Sequence, residues 1–404
     1  MARLASFLKA ITSRYVRLAY ALLVFILSLL AIFEAPTRLL WMAAILVTEY
    51  GHFLAILSLL VLLPGWRHSW LGRFSVALAL IASLLTITPI LRALQVKNQL
   101  PEKFEIAFDS KNDKGSLVEI GRQDPLDFSD LFFGVEFSTI ESSTHVYRRT
   151  NGNELTLDLY RATTDNAACP GVIVIHGGAW RSGDSKQLPN LNSYLAGRGY
   201  VVAAVSYSLV PHSRYPTPIS DIQSAISYLR DNASEFGLDP ERLVLLGRSA
   251  GGHLALQTAY TSDEPAIRGV ISLYGPADLY YGYTHPARPL VIDTKKVLED
   301  FLGGNPTELP EIYRAASPIH YVGANTPPTL LIHGGRDELV TPEQSRRLAS
   351  KLRASDVPNL YLHLPWATHG CDFNISGPSG QLILYAIELF LDWCYSQEDG
   401  AAGA

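Results

Sequence analysis

Residues 243–253, LVLLGRSAGGH, decide the fold of this chain. The apolar residues 243–246 predict a short buried strand, and the apolar residues that follow the glycines recur at helical spacing. Between strand and helix lies the pentapeptide GRSAG, with Ser249 at its centre. Glycines two positions before and after a serine permit a sharp strand–helix turn that lifts its hydroxyl above the sheet. The helix N-terminus supplies free N–H groups beside Ser249, which suits a developing oxyanion.

The same pentapeptide would also fit an ordinary glycine-rich turn with a surface serine, so the surrounding chain must decide. Strand and helix patterns alternate from residue 144 to about residue 393. Buried strands are predicted at 172–175, 201–205, 270–273, 330–332 and 360–364, and helices at 188–198, 219–229, 342–353 and 381–393. This alternation predicts an α/β fold with a mainly parallel sheet covered by helices on both faces. Ligands then bind beyond the carboxyl ends of the strands.

Polar residues suited to catalysis follow two further predicted strands. Asp337 comes after strand 330–332, and His369 comes after strand 360–364. With Ser249 they give the order nucleophile, acid, base, which is the order expected on this architecture. Ser249, Asp337 and His369 are therefore the predicted catalytic residues.

Other residues near these strands offer alternatives for the acid and the base. Asp372 or Glu338 could replace the predicted acid, but neither has its position directly after a strand. His363 lies within a predicted strand, and His333 is close in sequence to the candidate acid.

The segment after strand 172–175 reads HGGAW, residues 176–180. Its small residues allow backbone N–H groups to face an anion, so Gly178 and Ala179, with Ala250 after the serine, are the predicted oxyanion hole. Residues 275–328 separate two core strands by more than one helix requires. Trp180, Tyr281 and Tyr283 are predicted to contribute to a substrate pocket; the alternative for the long segment is a surface excursion remote from the chemistry.

Residues 144 to about 393 resemble the α/β-hydrolase superfamily, specifically the esterase branch with the H-G-G-x-W motif, which includes carboxylesterases and acetyl-xylan and feruloyl esterases. The resemblance rests on residues 176–180, 247–252, the Asp337 loop and His369-Gly370. It implies hydrolysis of carboxylic esters through an acyl-enzyme on Ser249, with no metal or organic cofactor. Ser208 stands where that branch usually has arginine. A peptidase or amidase would use the same residues, and an inactive receptor or scaffold would be expected to lose some of them.

Three apolar segments precede this region, at residues 18–33, 39–63 and 74–91. Each approaches the ~20 residues that cross a bilayer as a helix, and Trp41, Trp66 and Trp70 lie near their ends, where indoles favour the membrane interface. Buried soluble helices are the alternative, and a cleaved signal peptide fits poorly because two more apolar segments follow the first. The sequence predicts a transmembrane region of three helices within residues 1–94.

Lysine and arginine counts predict the orientation of these helices. Six basic residues would share the side of the N-terminus, among them Arg3 and Lys9, against four on the other side. This bias favours a cytoplasmic N-terminus and, after three crossings, an extracytoplasmic hydrolase domain. Glu49 and His52 share one helix face within the second segment and predict either a packing pair or a proton or substrate site. If they prevent crossing, two crossings leave the hydrolase in the cytoplasm.

The predicted organisation is a membrane region at 1–94, a linker at 95–143, a catalytic domain at 144–396 and a disordered tail at 397–404. A net charge of −5 gives no indication of nucleic-acid binding. Three cysteines form neither a metal-ligand spacing nor a disulfide framework. The expected partners are a small or membrane-proximal ester and the lipid bilayer, while the oligomeric state stays open.

Overall fold

The computed structural model describes residues 13–108, 121–150, 153–162 and 168–397. Several predictions concern residues outside these ranges: the orientation argument from Arg3 and Lys9, the middle of the predicted linker at 109–120, and the tail beyond residue 397.

We keep the name hydrolase domain for the catalytic domain predicted at residues 144–396, and an eight-stranded sheet forms its centre. Its spatial order is β1-β2-β4-β3-β5-β6-β7-β8; β1, β2 and β4 pair antiparallel, and all other neighbours pair in parallel. The strands are β1 (Ser142–Thr150), β2 (Asn153–Tyr160), β3 (Cys169–Ile175), β4 (Val201–Val205), β5 (Leu238–Arg248), β6 (Ile267–Leu273), β7 (Thr329–Gly334) and β8 (Asn359–Leu364). The predicted mainly parallel sheet is confirmed, with an antiparallel edge added.

Helices cover both faces of this sheet because each central strand is apolar on both sides. In β5, Val244 and Leu246 pack into one buried layer, and Leu243 and Leu245 pack into the other. The helices of the chain are α1 (Arg14–Ser28), α2 (Arg38–Glu49), α3 (Gly51–Ser58), α4 (Trp70–Phe108), α5 (Phe128–Phe133), α6 (Pro189–Gly197), α7 (Thr217–Asp231), α8 (Ala233–Phe236), α9 (Ala250–Thr261), α10 (Leu279–Thr284), α11 (Thr294–Leu302), α12 (Pro310–Ala315), α13 (Glu343–Ala354) and α14 (Pro378–Ser396).

Helix α4 joins the N-terminal region to the hydrolase domain. It continues to Phe108, well into the predicted linker, and its last turns pack on the sheet layer that also contains α14. Phe104 and Phe108 are buried there, and the Phe108 ring lies 4.8 Å from that of Trp393. One continuous helix therefore belongs to both regions.

Two of the described helices are long and apolar enough to cross a membrane, Arg14–Ala31 and Trp70–Phe108. The second predicted span, 39–63, is not one straight helix: Arg38–Glu49 and Gly51–Leu62 meet at 84°. The bend falls at Tyr50, and at the adjacent Gly51 α3 approaches α4 so closely that an added Cβ would lie 2.2 Å from the carbonyl oxygen of Thr86. The predicted count of three therefore stays a prediction: two of the described helices qualify, or three if the bent pair is one span.

Contacts at their ends define the directions of these helices. Near the start of α1, Arg17 donates to the carbonyls of Leu63 and Pro64, each at 3.0 Å, just beyond the end of the bent pair. Beyond the other end of α1, Leu30 accepts a 2.9 Å hydrogen bond from Arg336 of the hydrolase domain. The segment Gly51–Leu62 consequently leads away from the hydrolase domain, whereas α1 and α4 lead toward it.

Glu49 and His52 are both buried against the hydrolase domain. Glu49 accepts a hydrogen bond from the backbone N–H of Ser379 at 3.1 Å, and His52 Nε2 lies 2.7 Å from the carbonyl oxygen of Leu131. These hydrogen-bond partners lie in α5 and at the start of α14, not on the other apolar segments. Glu49 and His52 therefore attach the bend between α2 and α3 to the hydrolase domain and to α5.

Candidate active site

Ser249 lies at the junction of β5 and α9 in a strained backbone conformation, with φ 53° and ψ −120°. A Cβ on Gly247 would lie 2.1 Å from the carbonyl oxygen of Gly251, and a Cβ on Gly251 would lie 2.2 Å from that of Ile175. Both flanking positions therefore require glycine. Strain of this kind costs about 1–3 kcal/mol and persists only where the surrounding structure enforces it.

The three predicted catalytic residues lie within hydrogen-bond distance of one another. His369 Nε2 is 2.9 Å from Ser249 Oγ, and His369 Nδ1 is 2.6 Å from Asp337 Oδ2. Asp337 and His369 occupy the loops after β7 and β8, neighbouring strands whose carboxyl ends meet at the same edge of the sheet. The arrangement allows the imidazole to accept the serine proton while the carboxylate orients the ring.

Buried hydrogen bonds keep Asp337 in its carboxylate form. Its Oδ1 accepts from the backbone N–H groups of Leu339 and Val340 at 2.9 and 2.8 Å, and His333 Nε2 lies 3.2 Å from its Oδ2. Burial by itself raises the pKa of Asp337, but the charge of His369 and the hydrogen bonds from both histidines lower that pKa well below its ordinary value. His333 thus contacts the same carboxylate oxygen as the candidate base.

The alternative acids have other partners. Asp372 forms a buried ion pair with Arg248 and accepts a hydrogen bond from Tyr274. Glu338 accepts from the backbone N–H of Ala35 at 3.0 Å, and its burial raises its pKa to about 7. Neither carboxylate is bonded to His369 in the described residues.

The predicted oxyanion segment lies directly beside the serine. A Cβ on Gly177 would be 3.4 Å from the Cβ of Ser249, and Gln187 fixes the loop by accepting from the Gly177 N–H at 2.8 Å. Gly178 has φ 124°, where an added Cβ would lie 1.9 Å from the carbonyl oxygen of Ser182, and Ala179 has φ 54°.

Three backbone N–H groups near the serine are available to an anion. Within the described ranges, those of Gly178, Ala179 and Ala250 donate to no protein acceptor. The N–H of Ala250 is free because this residue is the first of α9, where no preceding turn exists to accept it. These are the three donors that the sequence predicts.

A cavity of about 610 Å³ opens above Ser249 and His369. Trp180 is one of its lining residues and is itself buried, with its ring stacked on Phe301 at 4.3 Å. The volume lies within the ~300–1,000 Å³ range of small-molecule sites.

Tyr281 and Tyr283, also predicted for the pocket, do not reach this cavity. Tyr281 stacks on His285 at 4.1 Å, and Tyr283 donates to Glu299 at 2.7 Å. Residues three apart share a face of α10, and the face turned to the cavity contains Leu279 and Gly282. The long segment 275–328 does contribute to the pocket, but through neighbours of the predicted tyrosines.

The cavity has one wall that the sequence analysis missed. Arg38, Trp41 and Ile45 of α2 line it, and the Trp41 indole N–H donates to the carbonyl oxygen of His369 at 3.0 Å. Their spacing of three and four places them on one helix face. The sequence shows this face only as part of an apolar segment, because the partner residue lies more than 300 positions away.

Comparison with known proteins shows that the hydrolase domain is similar to esterases. Residues 157–352 match the BD-FAE family. The chain is 34% identical over 239 residues to esterase LipC of Mycobacterium tuberculosis, covering 55% of this chain and 58% of LipC. It is 30% identical to esterase LipQ of the same organism, covering 62% of each chain. The matches thus span less than two thirds of either relative.

A solved structure of similar fold is the thermophilic esterase Est2 of the planctomycete Thermogutta terrifontis. It superimposes with a TM-score of 0.52 at 27% identity, over 64% of this chain and 92% of Est2. The fold is that of the α/β-hydrolases. Together the sequence and structure comparisons support a carboxylic ester hydrolase.

Proposed function

We propose that this chain is a membrane-anchored hydrolase of carboxylic esters that acts through an acyl-enzyme on Ser249. The observation that carries the proposal is the continuous hydrogen-bonded set of Ser249, His369 and Asp337, with distances of 2.9 and 2.6 Å. The esterase relatives favour an ester over the amide or peptide bond that the same three residues could cleave.

In the proposed reaction, Ser249 attacks the ester carbonyl while His369 Nε2 accepts its proton. Asp337 keeps the imidazole in the required tautomer and stabilises the imidazolium that forms. The N–H groups of Gly178, Ala179 and Ala250 receive the oxyanion, and each such donor typically contributes about 3 kcal/mol to the transition state. His369 then protonates the leaving alcohol, and water, activated by the same imidazole, releases the acid.

Labelling with a fluorophosphonate tests this proposal directly. We expect one covalent adduct, located by peptide mass spectrometry at Ser249, because only a serine activated by a neighbouring base attacks the phosphorus rapidly. The Ser224→Ala protein is a suitable control, since among the described residues the Ser224 hydroxyl bonds only to the Ser220 carbonyl of its own helix. An unlabelled native protein, or labelling that persists in Ser249→Ala, would contradict the proposal.

The membrane part of the proposal is supported by the two long apolar helices and by the directions of the bent pair and its neighbours. Because α1, the segment Gly51–Leu62 and α4 alternate in direction, three crossings would put the N-terminus and the hydrolase domain on opposite sides. The basic residues near the N-terminus favour the cytoplasm for that end. The catalytic domain would then be extracytoplasmic.

Reporter fusions test this orientation. A fusion after Leu63 is expected to report the cytoplasm, and a fusion after residue 143 is expected to report the extracytoplasmic side. A cytoplasmic signal after residue 143 would reject the orientation. Release of the full-length chain from membranes by carbonate washing would reject membrane integration itself.

A further inference from the structure

Helix α2 contacts the hydrolase domain. One of its faces lines the active-site cavity, and another face is exposed. Arg38, Trp41 and Ile45 line the active-site cavity. The face formed by Leu39, Met42 and Leu46 is exposed: these residues expose 79%, 53% and 51% of their surface.

The cavity face of α2 is held against the candidate base. The Trp41 indole donates to the His369 carbonyl at 3.0 Å, and Ile45 Cδ1 is only 3.3 Å from where a Cβ on Gly370 would lie. A group lying along Trp41 and Ile45 is therefore next to the loop that presents His369 to Ser249. This wall belongs to the catalytic cavity and is not a separate surface groove.

The exposed face of α2 continues into other exposed apolar side chains where the helices meet the hydrolase domain. Phe53, at the start of α3, contacts Phe132 of α5. Phe133, the next residue of α5, is 91% exposed. Leu290 is 74% exposed, and its carbonyl accepts from the Arg38 N–H at 3.1 Å. We call these exposed residues the apolar rim: Leu39, Met42, Leu46, Phe53, Phe132, Phe133, Leu290 and Phe373.

In the proposed membrane arrangement, the apolar rim would lie at the membrane surface. It lies at the hydrolase end of α1 and α4, which expose apolar side chains along their length, including Leu23, Ile26, Leu80 and Leu84, so it would meet the boundary between lipid and water. A helix with one apolar face at that boundary is stabilised by burying the face among the acyl chains. Phe373 belongs both to the apolar rim and to the cavity lining, so the rim reaches the mouth of the cavity.

We propose that the cavity takes amphiphilic esters directly from the bilayer, past α2. This proposal rests on the proposed function and specifies its substrate class. The long apolar arm of the ester lies along Trp41 and Ile45, its carbonyl lies at Ser249, and its polar part remains near Arg38, whose side chain forms no ion pair among the described residues. The substrate thus passes from lipid to cavity without exposing its apolar arm to water, and the bond cleaved is that of the ordinary esterase reaction.

The test uses the full-length protein in phosphatidylcholine vesicles with two esters of the same alcohol. p-Nitrophenyl acetate reaches the cavity from water, and p-nitrophenyl palmitate is dissolved in the vesicle bilayer. In the double variant Leu39→Gln/Met42→Gln, we expect hydrolysis of the palmitate to fall at least about tenfold because α2 is displaced from the lipid surface. Hydrolysis of the acetate should stay near the wild-type rate.

The matched control is Leu80→Gln/Leu84→Gln on α4, where the same substitutions affect apolar side chains that are 51% and 64% exposed but distant in sequence from α2. Both rates should be unchanged in this control. Equal effects on the two esters in the α2 variant, or no effect on either, would overturn the inference. Failure of wild-type protein to hydrolyse either ester would overturn the proposed function instead.

Loss of fluorophosphonate labelling would show that the double variant does not fold. In that case a second variant tests whether the apolar arm of the ester lies along α2. Ile45→Trp fills the wall beside Gly370 and leaves the exposed face of α2 intact. Palmitate hydrolysis should fall at least about tenfold relative to acetate hydrolysis, because the larger side chain occupies the space of the long arm. An unchanged ratio of the two rates would show that the apolar arm does not lie along α2.

Discussion

The Ser249→Ala protein is expected to lose at least about a thousandfold of its kcat/KM toward short soluble esters while remaining folded. The substitution removes the oxygen that would form the acyl-enzyme. It retains the Cβ, so the strained backbone at φ 53° gains no new steric conflict. Initial rates with p-nitrophenyl acetate measure the effect, and circular dichroism with a thermal melt measures the fold.

Two comparisons make this expectation specific. Ser224→Ala removes a hydroxyl from the surface of α7 and should leave the rate unchanged. Any residual rate in Ser249→Ala should be insensitive to prior fluorophosphonate treatment, because the reacting hydroxyl is gone. Retention of most activity by Ser249→Ala would reject the nucleophile assignment.

Sequence reasoning located the candidate site because a parallel sheet collects distant residues at one edge. Ser249, Asp337 and His369 each follow a strand, and the strands β5, β6, β7 and β8 are consecutive neighbours in the sheet. The order of three short motifs along the chain was therefore enough to predict that their side chains meet at one edge of the sheet. Gly247 was equally predictable, since its close contact with Gly251 is local to one turn, whereas the close contact of Gly251 is with Ile175 of β3.

The wall of the site that α2 forms could not be predicted in the same way. Hydropathy over residues 39–63 reports average apolar character and contains no signal for the bend at Gly51. That bend depends on the close approach of α4, and the Trp41 contact with His369 depends on the whole fold. Tyr281 and Tyr283 do not line this cavity for a related reason: α10 starts at Leu279, and Leu279 and Gly282 face the cavity instead.

The loop that carries Asp337 is also the loop that holds the N-terminal region. Its neighbours on either side contact the segment after α1: Arg336 donates to the Leu30 carbonyl at 2.9 Å, and Glu338 accepts from the Ala35 N–H at 3.0 Å. Trp41 contacts the loop of His369 in turn. The position of the candidate acid relative to the base is thus supported by the N-terminal region as well as by the sheet.

Replacing Asp337 by asparagine is expected to lower kcat/KM on the order of 10³–10⁴-fold. The amide oxygen of asparagine would keep the two hydrogen bonds from the Leu339 and Val340 N–H groups, so its NH₂ group would face His369 Nδ1. An N–H donor at that place favours the tautomer that carries the proton on Nε2. That nitrogen then cannot accept the proton of Ser249. The measurement is kcat/KM with p-nitrophenyl acetate together with the rate of fluorophosphonate labelling, and both should fall.

Glu338→Gln provides the matched control for this variant, because it also neutralises one buried carboxylate in the same loop. Its amide oxygen can still accept from Ala35, and Glu338 has no bond to His369 among the described residues. The rate should therefore remain within about threefold of wild type, since no group that orients the imidazole has changed. Comparable losses in the two variants would mean that the loop, rather than the carboxylate of Asp337, supports the reaction. A large loss confined to Asp337→Asn would assign orientation of His369 to Asp337 alone.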